Sequence, residues 1–194
     1  TLAMTEQAYV GNDAELLGIL RDTAMQETAR ILYEVTTGQV LAGGRLAEMI
    51  RERGKEIQQR FIGKTADEKR AEIEGVVQSS DLRVWSCEWG WCFFRAEVAR
   101  CHTQPLVNIG RAYKPNDAIR NPSTCCSCSN LMTTREHSPF WEARYAKWVR
   151  VLSETHWQEG DPYRMVVNER IRQCESILRM MGVRVSPLED NHVT

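Results

Sequence analysis

Apolar residues recur at helical spacing through the first part of the chain. Behind an Asn-Asp capping signal, the pattern predicts one long amphipathic helix over residues 12–37. A second helix is predicted over residues 44–63, although Gly54 within it costs about 1 kcal/mol relative to alanine. Each predicted helix ends at a glycine, which is typical of a helix C-terminus.

A third, shorter helix has a clear start signal. Thr65 is followed three residues later by Glu68, which is the spacing of a capping box. Apolar residues then recur at helical spacing as far as Val77. Residues 1–80 are therefore predicted to form a helical region.

The pattern changes after residue 81. The segment 82–95 is rich in aromatic and β-branched residues and is interrupted by Gly90, which favours a short hairpin of paired strands. Its aromatic side chains can belong to the core or can form a platform on which bases stack. The segment 104–129 holds three prolines and many turn formers, and a loop of this length in a compact domain needs something to hold it.

Two more helices are predicted near the end of the chain. Ser138-Pro139 and Asp161-Pro162 each combine an N-cap residue with a first-turn proline. Apolar residues follow both signals at spacings of three and four, so the two stripes can face each other. Residues 136–185 are therefore predicted to form an antiparallel helical hairpin, and residues 186–194 a flexible tail.

Composition adds little to this picture. The chain carries 25 basic and 26 acidic residues, so its average charge does not identify a partner. No apolar run approaches the roughly 20 residues that span a bilayer, and no membrane partner is predicted. Seven cysteines is an odd number and no signal stretch lies near Thr1, which favours reduced thiols in the cytoplasm.

Four of the cysteines can be arranged as two pairs around one metal ion. Cys125 and Cys128 are separated by two residues, a spacing that lets one turn direct two thiolates at a tetrahedral zinc ion. Cys92 and Cys101 would supply the other two ligands. Residues 81–135 are therefore predicted to form a structural zinc knuckle with a long basic loop. The predicted fold is mainly α, with a small β-containing zinc knuckle.

Other interpretations of these cysteines stay open. Cys92 and Cys101 can be small buried apolar residues, while Cys125 and Cys128 lie in an ordinary turn. His137 follows closely enough to make a three-cysteine, one-histidine site an alternative. A thioredoxin-like redox pair would need a βαβ setting that the pattern does not contain.

No enzyme constellation is found in the sequence. A zinc deaminase needs a His-x-Glu element, and that element does not occur here. The zinc-protease motif, the nucleophile elbow, the phosphate-binding loop and the dinucleotide fingerprint do not occur either. The chain itself is therefore predicted to be non-catalytic.

Positive charge concentrates around the cysteines. Six basic residues and two acidic ones lie between residues 95 and 135. Such a segment can follow a phosphate backbone, and it can equally be a solvated loop. The arginines beside the cysteines can also offset the charge of a metal centre. The candidate contacts to double-stranded DNA are Arg95, Arg100, Arg111, Lys114 and Arg120.

The cysteine-rich part of the chain resembles the C-terminal extension of large bacterial tyrosine recombinases, the integrases and transposases of mobile elements. The resemblance covers roughly residues 85–145. It is carried by Gly90-Trp91-Cys92-Phe93, Arg100-Cys101 and the run from Cys125-x-x-Cys128 to His137-x-Pro-Phe-Trp141. It implies that the same four cysteines bind zinc. It further implies a bacterial, non-catalytic region that assists DNA binding, or homo-oligomeric assembly of a recombination complex, during DNA integration.

The sequence also departs from that family. Cys126 adds a thiol inside the Cys-x-x-Cys turn, and a long insertion separates Cys101 from Cys125. The catalytic tyrosine is expected upstream of this chain, with Tyr9 as an alternative near its start. A free-standing zinc-stabilised interaction module, unrelated to recombination, is the second predicted function.

Overall fold

Helices make up most of the part of the chain that the computed structural model describes, which is residues 14–102, 114–158 and 160–185. The helices are α1 (Ala14–Thr36), α2 (Arg45–Glu52), α3 (Gly54–Phe61), α4 (Ala66–Ser79), α5 (Pro122–Cys125), α6 (Ser138–Glu154) and α7 (Pro162–Met180). The strands are β1 (Ala42–Gly43), β2 (Val84–Cys87), β3 (Gly90–Phe93) and β4 (Leu131–Thr134). Tyr9, Arg111 and the predicted tail 186–194 lie outside the described residues.

Two of the predicted caps, Thr65 and Asp161, begin helices as expected, whereas Ser138 is the first residue of α6 and its N-cap is His137. At the start of α4, the Thr65 hydroxyl accepts from the Glu68 N–H at 3.3 Å, and the Thr65 N–H donates to the Glu68 carboxylate at 2.6 Å. The Asp161 carboxylate accepts from the Tyr163 N–H at 2.8 Å at the start of α7. Each cap satisfies backbone donors that have no partner within the helix.

The single helix predicted over residues 44–63 is wrong, because the chain divides there into α2 and α3. Arg53 leaves helical geometry and Gly54 begins the next helix. Glycine weakens a helix interior, and here the break lets the two halves use different parts of the core. Ala47 of α2 packs in the apolar cluster that contains Met132, whereas Phe61 of α3 packs in the cluster that contains Val77.

The four strands form one small antiparallel sheet in the order β1-β4-β3-β2. The hairpin of β2 and β3 confirms the prediction for residues 82–95, and it pairs Trp85 with Cys92. The inner strand β4 was not predicted. All four of its residues are buried, and it pairs with both β3 and β1. The fold is thus mainly α with a small antiparallel sheet.

That sheet joins parts of the chain that the sequence assigned to different regions. Strand β1 comes from the predicted helical region 1–80, and its Ala42 pairs with Thr134 of β4. The predicted domain boundaries therefore stay a prediction. None of the helices within the described residues is long and apolar enough to cross a membrane.

The turn from β1 into α2 depends on glycine. Gly44 has a φ of +86°, and a Cβ there would lie 2.7 Å from the carbonyl oxygen of Leu131. A positive φ and so close an approach to backbone both exclude a side chain. Gly44 thereby lets α2 begin directly against β4.

Helices α6 and α7 pack against strand β4 of the sheet. Trp141 of α6 is completely buried in a cluster with Leu131 of β4 and with Cys174 and Leu178 of α7. The Trp141 indole N–H donates to the Trp89 carbonyl at 2.9 Å, which ties α6 to the hairpin turn. The packing uses the apolar stripes read from the sequence. The arrangement of α6 and α7 as an antiparallel hairpin stays a prediction.

Candidate functional site

The hairpin places Cys92 on a buried face of the sheet. Cys92 of β3 pairs with Trp85 of β2, and Cys87 pairs with Gly90. Since every second residue of a strand faces the same way, Trp85, Cys87 and Cys92 lie on one face. Trp85 and Cys92 each expose 8% of their surface, and both pack in one apolar cluster with Phe94 and Cys101. The buried members of the aromatic segment, Trp85, Phe93 and Phe94, belong to the core.

Cys101 reaches this cluster from a short 3-10 turn. The turn spans Arg100–His102, and Cys101 is buried within it. Burial raises the pKa of Cys101, and the backbone of Asn116 opposes that rise. A second segment of the chain therefore influences this thiol.

A compact turn presents the other two predicted cysteines. The Asn121 side chain caps α5 by accepting from the Ser123 and Thr124 N–H groups, each at 3.0 Å. Cys125 ends this helix, and the Cys128 N–H donates to the Cys125 carbonyl at 2.8 Å. Both cysteines are buried. This is the local turn that the Cys-x-x-Cys spacing predicted.

Cys92, Cys101, Cys125 and Cys128, hereafter the four-cysteine cluster, lie within electrostatic range of one another in all six pairings. Burial is the largest influence on these thiols. It raises the pKa of Cys92 and of Cys101, and it raises the pKa of Cys125 to about 11. The neighbouring thiols raise these pKa values further, because thiolates repel one another. The structure therefore packs Cys92 and Cys101 in one cluster and places Cys125 and Cys128 near enough for their charges to act on these two.

Metal binding by this cluster stays a prediction. Within the described residues, no group of three or more His, Cys, Asp or Glu side chains has the geometry to hold a metal ion. Two buried indole N–H groups nevertheless lie beside the thiols. Trp85 packs in the same cluster as Cys92 and Cys101, and neither Trp85 Nε1 nor Trp89 Nε1 has a hydrogen-bond partner among the described residues.

Those donors fit an anionic sulfur centre. The Trp89 indole faces Cys125 closely enough to lower the pKa of that thiol, which burial raises, without reaching normal hydrogen-bond geometry. A neutral thiol is a weak acceptor, whereas a metal-bound thiolate is a strong one. The chemistry of the donor set therefore suits zinc bound by thiolates.

Cys87 is a fifth thiol at this site that the sequence analysis missed. Its thiol donates to the Gly90 carbonyl at 2.9 Å, and a charge on Cys125 acts on it. Burial raises the pKa of Cys87 to about 12, while Arg120 and the backbone of Trp89 and Gly90 oppose that rise. The alternation of Trp85 and Cys87 along β2 was the signal that could have placed it on the cluster's face.

Arg120 was predicted to contact DNA, and the structure instead directs it inward. Only 8% of its side chain is exposed. Its Nη2 donates to the Ser86 carbonyl at 3.0 Å, and its guanidinium carbon lies 5.9 Å from the centre of the Trp89 ring. Its charge favours the thiolate forms of Cys87 and of the neighbouring cluster residues. A side chain so buried is not available to a phosphate backbone.

The other predicted DNA contacts do not share one exposed surface. Arg95 turns inward, where its Nε donates to the Asn130 side chain at 3.4 Å. Arg100 is exposed, and Lys114 is half-buried with its carbonyl accepting from His102 Nε2 at 3.1 Å. Arg111 lies outside the described residues. A DNA-binding surface formed by these residues stays a prediction.

His137, the predicted alternative ligand, lies away from the thiols. Its Nδ1 accepts from the Thr134 N–H at 3.2 Å, and its ring meets the Trp91 ring edge-on at 5.2 Å. Trp91 and Cys92 are adjacent in β3 and so point to opposite faces. Burial lowers the pKa of His137. The structure therefore gives no support to a three-cysteine, one-histidine site.

Part of the chain is similar to a phage protein. No protein-family model matches the chain, and no solved structure matches it significantly. A protein of Haemophilus phage HP1 named "Putative tail sheath protein" is 34% identical over 73 residues. The match covers 38% of this chain and 19% of the relative, so the chain spans less than a fifth of the relative's length.

This comparison overturns the function predicted from the resemblance. The relative's name describes a structural protein of a phage tail, which points away from a recombinase. The prediction that this chain is the C-terminal region of a tyrosine recombinase or integrase, acting in DNA integration, is therefore wrong. The cysteine motifs that carried the resemblance describe a local turn and a hairpin, and neither of these specifies recombination.

Proposed function

We propose that this chain is a non-catalytic protein-interaction module whose core is stabilised by a structural zinc ion bound to the four-cysteine cluster. The observation that carries the proposal is the convergence of these buried thiols from three separate segments. Cys92 comes from strand β3 and Cys101 from a 3-10 turn, while Cys125 ends α5 and Cys128 lies in the turn after it. A zinc ion there would cross-link all three segments.

The chemistry of such a centre is structural. Four thiolates complete a tetrahedral zinc site and leave no position open to water, so the ion has no catalytic role. When bound, zinc supplies folding free energy, because the ligands are brought together only in the folded chain. The orphaned indole donors of Trp85 and Trp89 would gain strong acceptors. These points support the metal half of the proposal.

Elemental analysis of the purified protein tests that half. We expect about one zinc ion per chain in the wild type, and loss of zinc in the Cys92→Ser variant. Cys174→Ser is the matched control, because Cys174 is also completely buried but lies in the cluster around Trp141. Zinc retained by Cys92→Ser at the control's level would refute the metal site.

The interaction half draws on two observations. The sequence contains none of the enzyme constellations sought, and the phage relative is named as a tail sheath protein. Stable protein assemblies grow from repeated contacts between copies, which makes self-association the first contact to test. Analytical ultracentrifugation across a wide concentration range should detect dimers or larger species. A monomer at all concentrations that binds duplex DNA in a salt-dependent manner would overturn this half.

A further inference from the structure

Arg120 is a buried cation whose ion-pair partner among the described residues is exposed. Its carboxylate partner is Asp117, whose oxygen lies 3.6 Å from the Arg120 Nε and whose side chain is 61% exposed. Ion pairs of that kind are weak, because solvent screens the carboxylate. The Ser86 carbonyl accepts one further N–H, at 3.0 Å. The contacts among the described residues therefore pair this guanidinium only weakly.

Burying a weakly paired cation is costly, so a further negative charge in its surroundings would stabilise it. Among the described residues, the charge of Arg120 acts on the thiols of Cys87, Cys92, Cys101 and Cys125. Neutral thiols provide no such charge. Four thiolates around one Zn²⁺ carry a formal charge of about −2, which would provide it.

We propose that Arg120 is the counter-cation of the zinc–thiolate centre and that it sets the centre's affinity for zinc. The inference rests on the zinc site proposed above. Arg120 is a positioning residue that acts through the thiolate ligands, because a positively charged guanidinium cannot bind Zn²⁺. The basic segment around Arg120 had predicted a contact to DNA, and the role proposed here replaces that prediction.

The surroundings hold Arg120 in place for this role. Ser86, which accepts its N–H, lies in β2 directly before Cys87. The Trp89 ring lies 5.9 Å from the guanidinium, and the Trp89 carbonyl is held by the Trp141 indole. Both contacts belong to the hairpin that also carries Cys92. Metal ligands and the counter-cation are therefore fixed by the same element.

If Arg120 has this role, its loss should affect the zinc-bound and the zinc-free protein in opposite ways. In Arg120→Met, the zinc affinity should fall about 10- to 100-fold, the usual loss when a group supporting metal ligands is removed. The metal-free protein should keep its stability or gain some, because a weakly paired buried charge has been removed. Arg120→Lys retains the positive charge and should retain more of the zinc affinity than Arg120→Met.

A competition titration of zinc against a chelator, combined with urea unfolding of the zinc-free and zinc-loaded full chain, tests the proposal. Arg144→Met is the matched control, because Arg144 lies among the thiols of Cys126 and Cys174, outside the four-cysteine cluster. We expect the control to bind zinc as tightly as the wild type. Arg120→Met with wild-type zinc affinity, or with equal loss of stability in both states, would overturn the role of Arg120.

The titration also distinguishes failure of the zinc proposal from failure of the Arg120 proposal. If the wild type binds no zinc in the titration, the metal half of the proposed function fails and the role of Arg120 fails with it. If the wild type and Arg144→Met bind zinc while both Arg120 variants match them, only the inference about Arg120 fails. If Arg120→Met does not fold even with zinc, the zinc titration of Arg120→Lys tests the role instead. A zinc affinity near that of the wild type supports the charge role. A zinc affinity well below that of Arg144→Met contradicts it.

Discussion

The Thr28 hydroxyl accepts a hydrogen bond of 2.8 Å from the backbone N–H of Val84, a residue 56 positions further along the chain. The same hydroxyl donates to the Ala24 carbonyl at 2.6 Å. Thr28 is completely buried in the middle of α1, and Val84 begins β2. One side chain thereby fixes the long first helix to the outer strand of the sheet.

Replacing Thr28 with valine should destabilise the fold by about 1–3 kcal/mol. Valine keeps the shape of threonine but leaves the Val84 N–H buried without its partner. Thr23→Val is the matched control, because Thr23 makes the same bond to the carbonyl four residues back but is exposed. Urea unfolding measures both variants. Similar losses for the two would contradict the role assigned to Thr28.

Gly44→Ala should be much more harmful than Gly63→Ala. Both glycines have positive φ, so alanine at either position costs about 1–2 kcal/mol in backbone strain. At Gly63 an added Cβ meets open space, whereas at Gly44 it would lie 2.7 Å from the Leu131 carbonyl oxygen. That clash should add about 1–3 kcal/mol. Thermal and urea unfolding of the two variants will separate backbone strain from the clash.

Acid should destabilise the protein through His137. Burial lowers the pKa of His137 below its usual value of 6.5, so the unfolded chain takes up the proton first as the pH falls. The stability that His137 contributes is present above pH 6.5 and is lost as the pH falls from there toward its folded pKa. We expect the free energy of unfolding to decrease between about pH 7 and pH 5, by about 1.4 kcal/mol for each unit of pKa shift.

Histidine variants test this assignment. His137→Asn retains an acceptor near the Thr134 N–H but cannot take up the proton, so its unfolding free energy should depend less on pH in this range. His156→Asn is the control, because His156 is exposed. If the two variants show the same pH dependence as the wild type, His137 is not the group responsible.

Local signals in the sequence gave the helices and the hairpin. Thr65 and Asp161 begin helices because their side chains satisfy nearby backbone donors, which is a contact within three residues. Strand β4 was missed because it is short and buried on both faces, so it shows no alternation. Strand β1 is two residues long and exists through its pairing with β4. Such pairing depends on distant parts of the chain.

At the candidate site too, local features could be predicted from the sequence, and side-chain directions set by tertiary packing could not. The spacing of Cys125 and Cys128 predicted a local turn, and the turn is present. The proximity of Cys92 and Cys101 was predicted, although it depends on the packing of a strand against a 3-10 turn. Nothing local distinguishes Arg120, which points inward, from Arg100, which is exposed. The direction of a basic side chain is set by tertiary packing, so charge patterning alone assigned both to a DNA surface.

X-ray absorption at the zinc edge of the purified full chain tests the central claim most directly, because it reports which atoms bind the metal. Four sulfur ligands at about 2.3 Å, with no nitrogen ligand, are the predicted result. A nitrogen ligand at about 2.0–2.1 Å would contradict the four-cysteine site, and so would protein that contains no zinc to measure.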